Sequence, residues 1–311
     1  MKRNIEPIYN ASLSSMWAMK NFTDFADFFP AACGLGFARV ELNHQVTPAM
    51  LKGVDLKQLR INSIHEPCPA FISAGELKNR DLLISSPDEE RRREGLNAVK
   101  RSLDLARELG CEAVVVHCGQ IQADTGMETR LRQLFENGQL GSPEFLELQS
   151  DFSKLRASLS GLYLQAVKAS LLELLDYALR GRIRLGIENR FHFLDIPAID
   201  EMGEILALAG PERLGFVYDV GHAQFQDRLG FCPYQAWLDG FGSRIIGVHI
   251  HDAHRVHDHL APGMGEVDFK KIALYLPPDA FRTLEVKSSN TPEQIRKGMN
   301  ILVDTGCVSL L

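Results

Sequence analysis

Long apolar runs are missing from this sequence. No stretch of about 18 apolar residues occurs, so no membrane-spanning helix is expected. The opening Met1-Lys2-Arg3-Asn4 leads into a strand-like segment without a long apolar core, and no signal peptide is expected there. Cysteine is sparse, with six residues (Cys33, Cys68, Cys111, Cys118, Cys232, Cys307) and no CxxC pair. A chain of 311 residues does not need disulfides to hold its core, so a reduced, cytoplasmic setting is the simpler expectation. Basic charge is not in excess either. Lys and Arg number 34 against 40 Asp and Glu, a net −6, so the composition announces no nucleic-acid surface, although a local patch can hide in a net count. No Gly-rich phosphate turn follows the first strand-like run, which counts against a doubly wound nucleotide fold. Repeats and low-complexity linkers are absent too, and one domain over residues 1–311 is expected.

What the chain does have is alternation. Short apolar runs occur at Ile5–Tyr9, Ala38–Leu42, Ile61–His65, Ala113–His117, Leu185–Glu188, Gly215–Asp219, Ile245–Ile250 and Phe281–Val286. Longer amphipathic stretches separate them. Pro87-Asp88-Glu89-Glu90 opens one with acidic residues in its first turn, and Gly110 stops it. Leu164 to Leu179 reads as another, ahead of Gly181, and Thr291-Pro292 caps and starts the last. Eight strand–helix repeats with continuously apolar strands are the pattern of an α/β fold, a (β/α)₈ TIM barrel. The fourth and fifth strands are too far apart for one helix. Residues 120–160 therefore read as a helical insertion after strand four, with pieces near Thr129–Phe135 and Pro143–Ser158. It suits a lid, a substrate-shaping cap or a homo-oligomer contact.

Histidine is concentrated where a strand should end. His249, His251, His254, His257 and His259 are half of the ten in the chain. Alternation sends His249 and His251 to the same side of the seventh strand. The other strand ends carry Glu41 with Asn43 and His44, then His65-Glu66, His117-Cys118, Glu188-Asn189-Arg190, Asp219-Val220-Gly221-His222 and Glu285-Val286-Lys287. Each has a plain reading alone: a hydrogen-bonded loop histidine, a Glu188–Arg190 ion pair, Asp219 as a helix cap. Together, at one rim, so many buried imidazoles and carboxylates would cost several kcal/mol each if left unpaired, and a divalent metal site is expected.

These segments resemble the xylose-isomerase-like TIM-barrel superfamily, which holds sugar isomerases and epimerases as well as the endonuclease IV relatives. The resemblance runs along the chain outside the insertion. It is most specific at His117-Cys118-Gly119, Glu188-Asn189, Asp219-Val220-Gly221-His222, His249-Ile250-His251-Asp252, His259 to Gly265, and Glu285. By resemblance to the nucleases, His65, His117, Glu188, Asp219, His222, His249, His259 and Glu285 would hold three zinc ions. His257 stands where those nucleases place a further aspartate ligand. By resemblance to the epimerases, Glu188, Asp219, His249 and Glu285 would hold one divalent ion, with His222 and Arg255 against the sugar. The segment Glu66-Pro67-Cys68-Pro69 lacks the aromatic residue with which the nucleases probe DNA, and the opening Ile8-Tyr9-Asn10-Ala11-Ser12 also differs.

The leading expectation is a metal-dependent sugar or sugar-phosphate isomerase or epimerase. In that role Glu188 and Glu285 exchange the proton beside a carbonyl, and His222, Arg255, Arg190 and Lys287 contact the substrate. The alternative is a zinc phosphodiesterase of the endonuclease IV kind, acting on abasic DNA or another phosphoester. The many histidines favour zinc, with manganese second, over magnesium.

Overall fold

The computed structural model describes residues 8–311. Ten strands are found among them: β1 (Tyr9–Ser14), β2 (Phe37–Leu42), β3 (Ile61–His65), β4 (Ala113–Val116), β5 (Arg184–Glu188), β6 (Leu214–Asp219), β7 (Ile245–Ile250), β8 (Asp252–His254), β9 (His257–Leu260) and β10 (Phe281–Leu284). Eight of these pair in parallel and close into a barrel in the order β1-β10-β7-β6-β5-β4-β3-β2. β8 and β9 form a separate antiparallel hairpin between β7 and β10.

The first strand sits later than expected. Residues 5–7 of the expected run lie outside the described residues, Ile8 is 48% exposed, and the strand begins at Tyr9. The reason lies in its two faces. Tyr9, Ala11 and Leu13 join the apolar layer between barrel and helices. Ser12 turns into the barrel and meets Thr283 Oγ1 at 2.9 Å. A strand with a polar inner face does not read as an apolar run.

Inside the barrel, Ala113, Val115, Val217, Ile246 and Phe281 form a small apolar layer of their own. Glycines on neighbouring strands make room for it: a Cβ on Gly247 would meet the Phe281 ring at 2.1 Å, and one on Gly215 would meet Ile246 at 2.3 Å. Two residues further along these strands, the same face presents His117 after Val115, Asp219 after Val217 and His249 after Gly247. Period-two alternation thus stacks a polar layer directly on an apolar one.

The helix Glu89–Leu109 is capped by Asp88, whose Oδ1 accepts from Arg91 N–H at 3.0 Å, and ends at Gly110 with φ 68°. Thr291 and Gln294 cap each other at the start of Pro292–Thr305. The connection between β4 and β5 differs from expectation. It holds Gly126–Glu136 and then one unbroken helix of 36 residues, Pro143–Ala178, so residue 160 is no boundary. Gly161 lies inside this helix, where nothing among the described residues crowds it, and one helical glycine costs only about 1 kcal/mol. No helix among the described residues is long and apolar enough to cross a membrane. None of the six cysteines is in a disulfide.

Arg156 ties this long helix to the loop above β5. Buried, it makes two bonds to Glu201 (2.8 and 2.7 Å) and donates to the carbonyls of Phe193 (2.7 Å) and Asp195 (3.1 Å). Truncating one partner of a buried, hydrogen-bonded pair strands the other charge. Arg156→Ala should therefore lower the unfolding free energy by about 3–5 kcal/mol in urea titration. A loss under about 1 kcal/mol would contradict the bracing role.

Candidate metal centre

Seven strand ends deliver polar side chains to one place. His65 ends β3, Glu188 ends β5 and Asp219 ends β6. Glu41 and His249 lie next to the last residues of β2 and β7, and His117 and Glu285 each follow their strand by one residue. Glu41, Glu188, Asp219 and His249 have no exposed surface, and Glu285 is 1% exposed.

The contacts converge. His249 Nδ1 lies 2.7 Å from Glu188 Oε1, 2.9 Å from Glu285 Oε2 and 3.8 Å from Asp219 Oδ2. The Nε2 atoms of His65 and His117 touch each other, and Glu188 Oε2 is 3.3 Å from the latter. His222 Nδ1 is 3.5 Å from Asp219 Oδ1, and His259 Nε2 is 4.0 Å from Glu285 Oε2. Four overlapping sets each bring ligand atoms within 4.8 Å of one another: Glu188–Asp219–His249–Glu285, His65–His117–Glu188, Asp219–His222–His259, and Glu41–His65–His249–Glu285.

The electrostatics follow from crowding. Burial resists ionisation of Glu188, but Arg190, His65, His117 and His249 outweigh it and hold the carboxyl well below the usual range. The same opposition, won by His249 and His65, keeps Glu285 ionised. Burial likewise resists ionisation of Asp219, and His222 with His251 hold it low. Burial drives His117 down, helped by Arg190 and His65, and it pushes His44 down to about 3. It works against a charge on His249 too, yet Glu41, Glu285 and Glu188 carry that imidazole well above its ordinary value. Burial also pushes the Glu66 carboxyl up to about 7, where it accepts the His117 amide at 2.8 Å.

The structure sorts the expected site residues. His65, His117, Glu188, Asp219, His222, His249, His259 and Glu285 come together. Arg190 is buried against Glu188 and 3.7 Å from Asp195, so the plain ion-pair reading holds for it as well. His257 does not join them. It is exposed, while Asp258 and His259 are both buried, because a left-handed φ of 57° at His259 breaks the alternation that would have turned 257 and 259 the same way. Arg255 also points elsewhere. It bonds Glu136 at 3.0 Å and the Phe135 carbonyl at 3.0 Å, clamping the hairpin to the helix Gly126–Glu136. Lys287 reaches Asp258 at 2.7 Å with its side chain 53% exposed, at the edge of the cluster.

Some residues that shape the site were singled out in the sequence without a role. Asn189 accepts the Asp219 amide at 2.8 Å and donates to the Asp219 carbonyl at 2.9 Å, stapling β5 to β6. His251 meets Asp219 at 3.0 Å through Nε2 and accepts the His259 amide at 2.9 Å through Nδ1, so it positions both residues. Asp252 accepts from the amides of Ala253, Gly263, Gly265 and Val267, folding the loop after the hairpin under the rim. The plain cap reading also holds for Asp219, whose Oδ1 takes the His222 amide at 2.7 Å.

This donor set fits a divalent cation. Four buried carboxylates share the cluster with one buried guanidinium, Arg190, and Glu41 Oε1, Glu285 Oε1 and His65 Nδ1 have no hydrogen-bond partner among the described residues. Mixed imidazole and carboxylate donors suit zinc or manganese better than an all-oxygen ion site.

A closed parallel barrel with such a rim defines a TIM barrel with a metal-competent mouth. The chain belongs to the xylose isomerase-like TIM barrel family, whose pattern matches residues 35–305. A D-tagatose 3-epimerase-like protein is similar in structure, with a TM-score of 0.62 at 19% identity, covering 94% of this chain and 96% of that one. The 3-keto-D-glucoside 4-epimerase of E. coli gives 0.62 at 17%, covering 95% and 99%. A Thermus thermophilus protein soaked with ZnCl2 gives 0.60 at 21%, covering 96% and 98%. An uncharacterized protein of Methanocaldococcus jannaschii is 24% identical over 195 residues, which is 62% of this chain and about half (55%) of that protein. At such identities the likeness is one of fold.

An ion that binds only the folded chain stabilises it by about 2.7 kcal/mol at a hundredfold excess over Kd. Zinc should accordingly raise the melting temperature by several degrees in a thermal scan, and Asp219→Asn or His249→Ala should remove most of that rise. An equal rise in the variants would place the ion elsewhere.

Proposed function

We propose that this protein is a divalent-metal-dependent isomerase or epimerase of a sugar or sugar phosphate. One observation carries the reading: Glu188 Oε1 and Glu285 Oε2 stand 2.7 and 2.9 Å from a single atom, His249 Nδ1. They come from β5 and β10, which β6 and β7 separate around the barrel. A small ligand above His249 thus has a carboxylate on each side. Glu188 takes a proton from the carbon beside a carbonyl, and Glu285 returns one on the opposite face. The pairing makes proton exchange with inversion or transfer at that carbon the natural chemistry. Sugar epimerases among the structural neighbours support the reading.

Glu188, Asp219, His249 and Glu285 would hold the ion. When bound, a divalent cation there offsets negative charge that develops on a carbonyl oxygen during proton removal. Zinc is the first expectation and manganese the second. Asn189 and His251 keep Asp219 in place, and Arg190 holds Glu188 ionised. His222 donates through Nδ1 to the Asn189 carbonyl at 3.0 Å, which leaves Nε2 for a substrate hydroxyl or a second ion. Lys287, on the edge of the mouth, is placed to meet an anionic substituent such as a phosphate.

A second reading, a zinc phosphodiesterase, is favoured by the two further ligand sets, His65–His117–Glu188 and Asp219–His222–His259. Three adjoining sets suit three ions and a phosphoester between them. Metal analysis separates the two: about one ion per chain accords with the isomerase, two or three with the hydrolase.

In deuterium oxide, a ketose that serves as substrate should gain solvent deuterium at the carbon beside its carbonyl. Glu188→Gln should cut that exchange about 10²–10⁴-fold with circular dichroism unchanged. Cleavage of abasic DNA without any sugar exchange would overturn the proposal in favour of the hydrolase.

A further inference from the structure

We infer that Glu41 is a positioning residue whose carboxylate takes the Nε2–H of His249, so that His249 turns its Nδ1 lone pair toward Glu188, Asp219 and Glu285. The inference rests on reading the cluster as a divalent-metal site, and it holds for either reaction discussed above.

Glu41 lies near the end of β2, and β2 and β7 are not neighbours in the barrel, so their contact crosses the interior. His249 Nε2 lies 3.2 Å from Glu41 Oε1 and 3.3 Å from Oε2, with both residues fully buried. Its other nitrogen faces the three carboxylates of the ion-binding set. A neutral imidazole has one N–H and one lone pair. If the N–H were on Nδ1, the ring would present a proton where a cation needs a donor. With the proton on Nε2, Nδ1 becomes the ligand, and the carboxylate behind the ring fixes that choice.

Glu41 is itself held. Ser63 Oγ donates to its Oε2 at 2.6 Å, and Thr283 Oγ1 lies 3.4 Å from the same oxygen. Thr283 pairs in turn with Ser12 at 2.9 Å. Ser63 of β3 and Thr283 of β10 hold Oε2, which His249 Nε2 also meets, and Ser12 of β1 backs Thr283; Oε1 has no hydrogen-bond partner among the described residues. The polar inner face of β1, which hid that strand in the sequence, thereby acquires a purpose: it belongs to a hydroxyl layer that seats the carboxylate beneath the ligands. Glu41, His65, His249 and Glu285 are also close enough to hold an ion directly. That arrangement would demand lone pairs from both nitrogens of His249 at once if Nδ1 also serves the upper set. A proton at Nε2 meets the same geometry without it.

The test uses the full chain loaded with zinc and labelled with ¹⁵N-histidine. Long-range ¹H–¹⁵N spectra should give His249 a protonated Nε2 and a metal-bound Nδ1; the reverse pattern overturns the inference. In chelator competition, Glu41→Ala should weaken zinc binding about 10–100-fold at unchanged stoichiometry. Glu41→Gln, whose amide oxygen still accepts, should recover most of the loss. Unchanged affinity in Glu41→Ala overturns the positioning role, and loss of one ion per chain makes Glu41 a ligand, which overturns it too. Should Glu41→Ala not fold, Ser63→Ala and Thr283→Val loosen the same carboxylate and should each weaken binding severalfold; no change in either counts against the inference. A wild-type chain that binds no zinc defeats the metal reading itself, a result distinct from zinc binding that ignores Glu41.

Discussion

Burying acid at the mouth of a closed barrel creates a demand for positive charge, and the rest of this structure is arranged around that demand. Glu41, Glu188, Asp219 and Glu285 lie out of water within one cluster. An isolated buried carboxylate is so costly that it neutralises by taking up a proton. Here the opposite direction holds for Glu188, Asp219 and Glu285, because a guanidinium and several imidazoles surround them. The same crowding that keeps these groups ionised gives them ligand geometry.

The scaffold supplies this arrangement through periodicity. Parallel strands place residues of equal parity on one face, and closure turns that face inward. The small apolar layer built on Val115, Val217 and Phe281, with glycines opposite Phe281 and Ile246, sets the height at which the polar layer begins. Around the rim, backbone amides do much of the positioning: Asn189 joins the ends of β5 and β6, and Asp252 gathers four amides of the loop that follows the hairpin. Gly265 belongs to that loop because a Cβ there would lie 2.4 Å from the Ala253 carbonyl.

Much of this was legible in the sequence, for a physical reason. Barrel strands buried on both faces read as short apolar runs, and their ends announced His65, Glu188 and Asp219 directly. The cap at Thr291 was as clear, whereas Asp88, read as part of a helix's first turn, is that helix's cap. What stayed hidden depended on local backbone geometry or on partners far along the chain. β1 was misplaced because its inner face carries serine. The positive φ at His259 separated two histidines that strand periodicity would have grouped. Arg255, a substrate contact by resemblance to the epimerases, is claimed by Glu136 and the Phe135 carbonyl, a pairing across about 120 residues that no local pattern encodes. The stretches read separately as Pro143–Ser158 and Leu164–Leu179 are one helix, Pro143–Ala178.

The central claim is that these imidazoles and carboxylates gather around a divalent cation. Anomalous diffraction at the zinc absorption edge, from crystals of the full chain grown with zinc, tests it most directly. The account predicts a strong peak bounded by Glu188, Asp219, His249 and Glu285, with any further peaks beside His117 or His259. A map without a peak at that cluster, in crystals whose side chains are ordered, would contradict it.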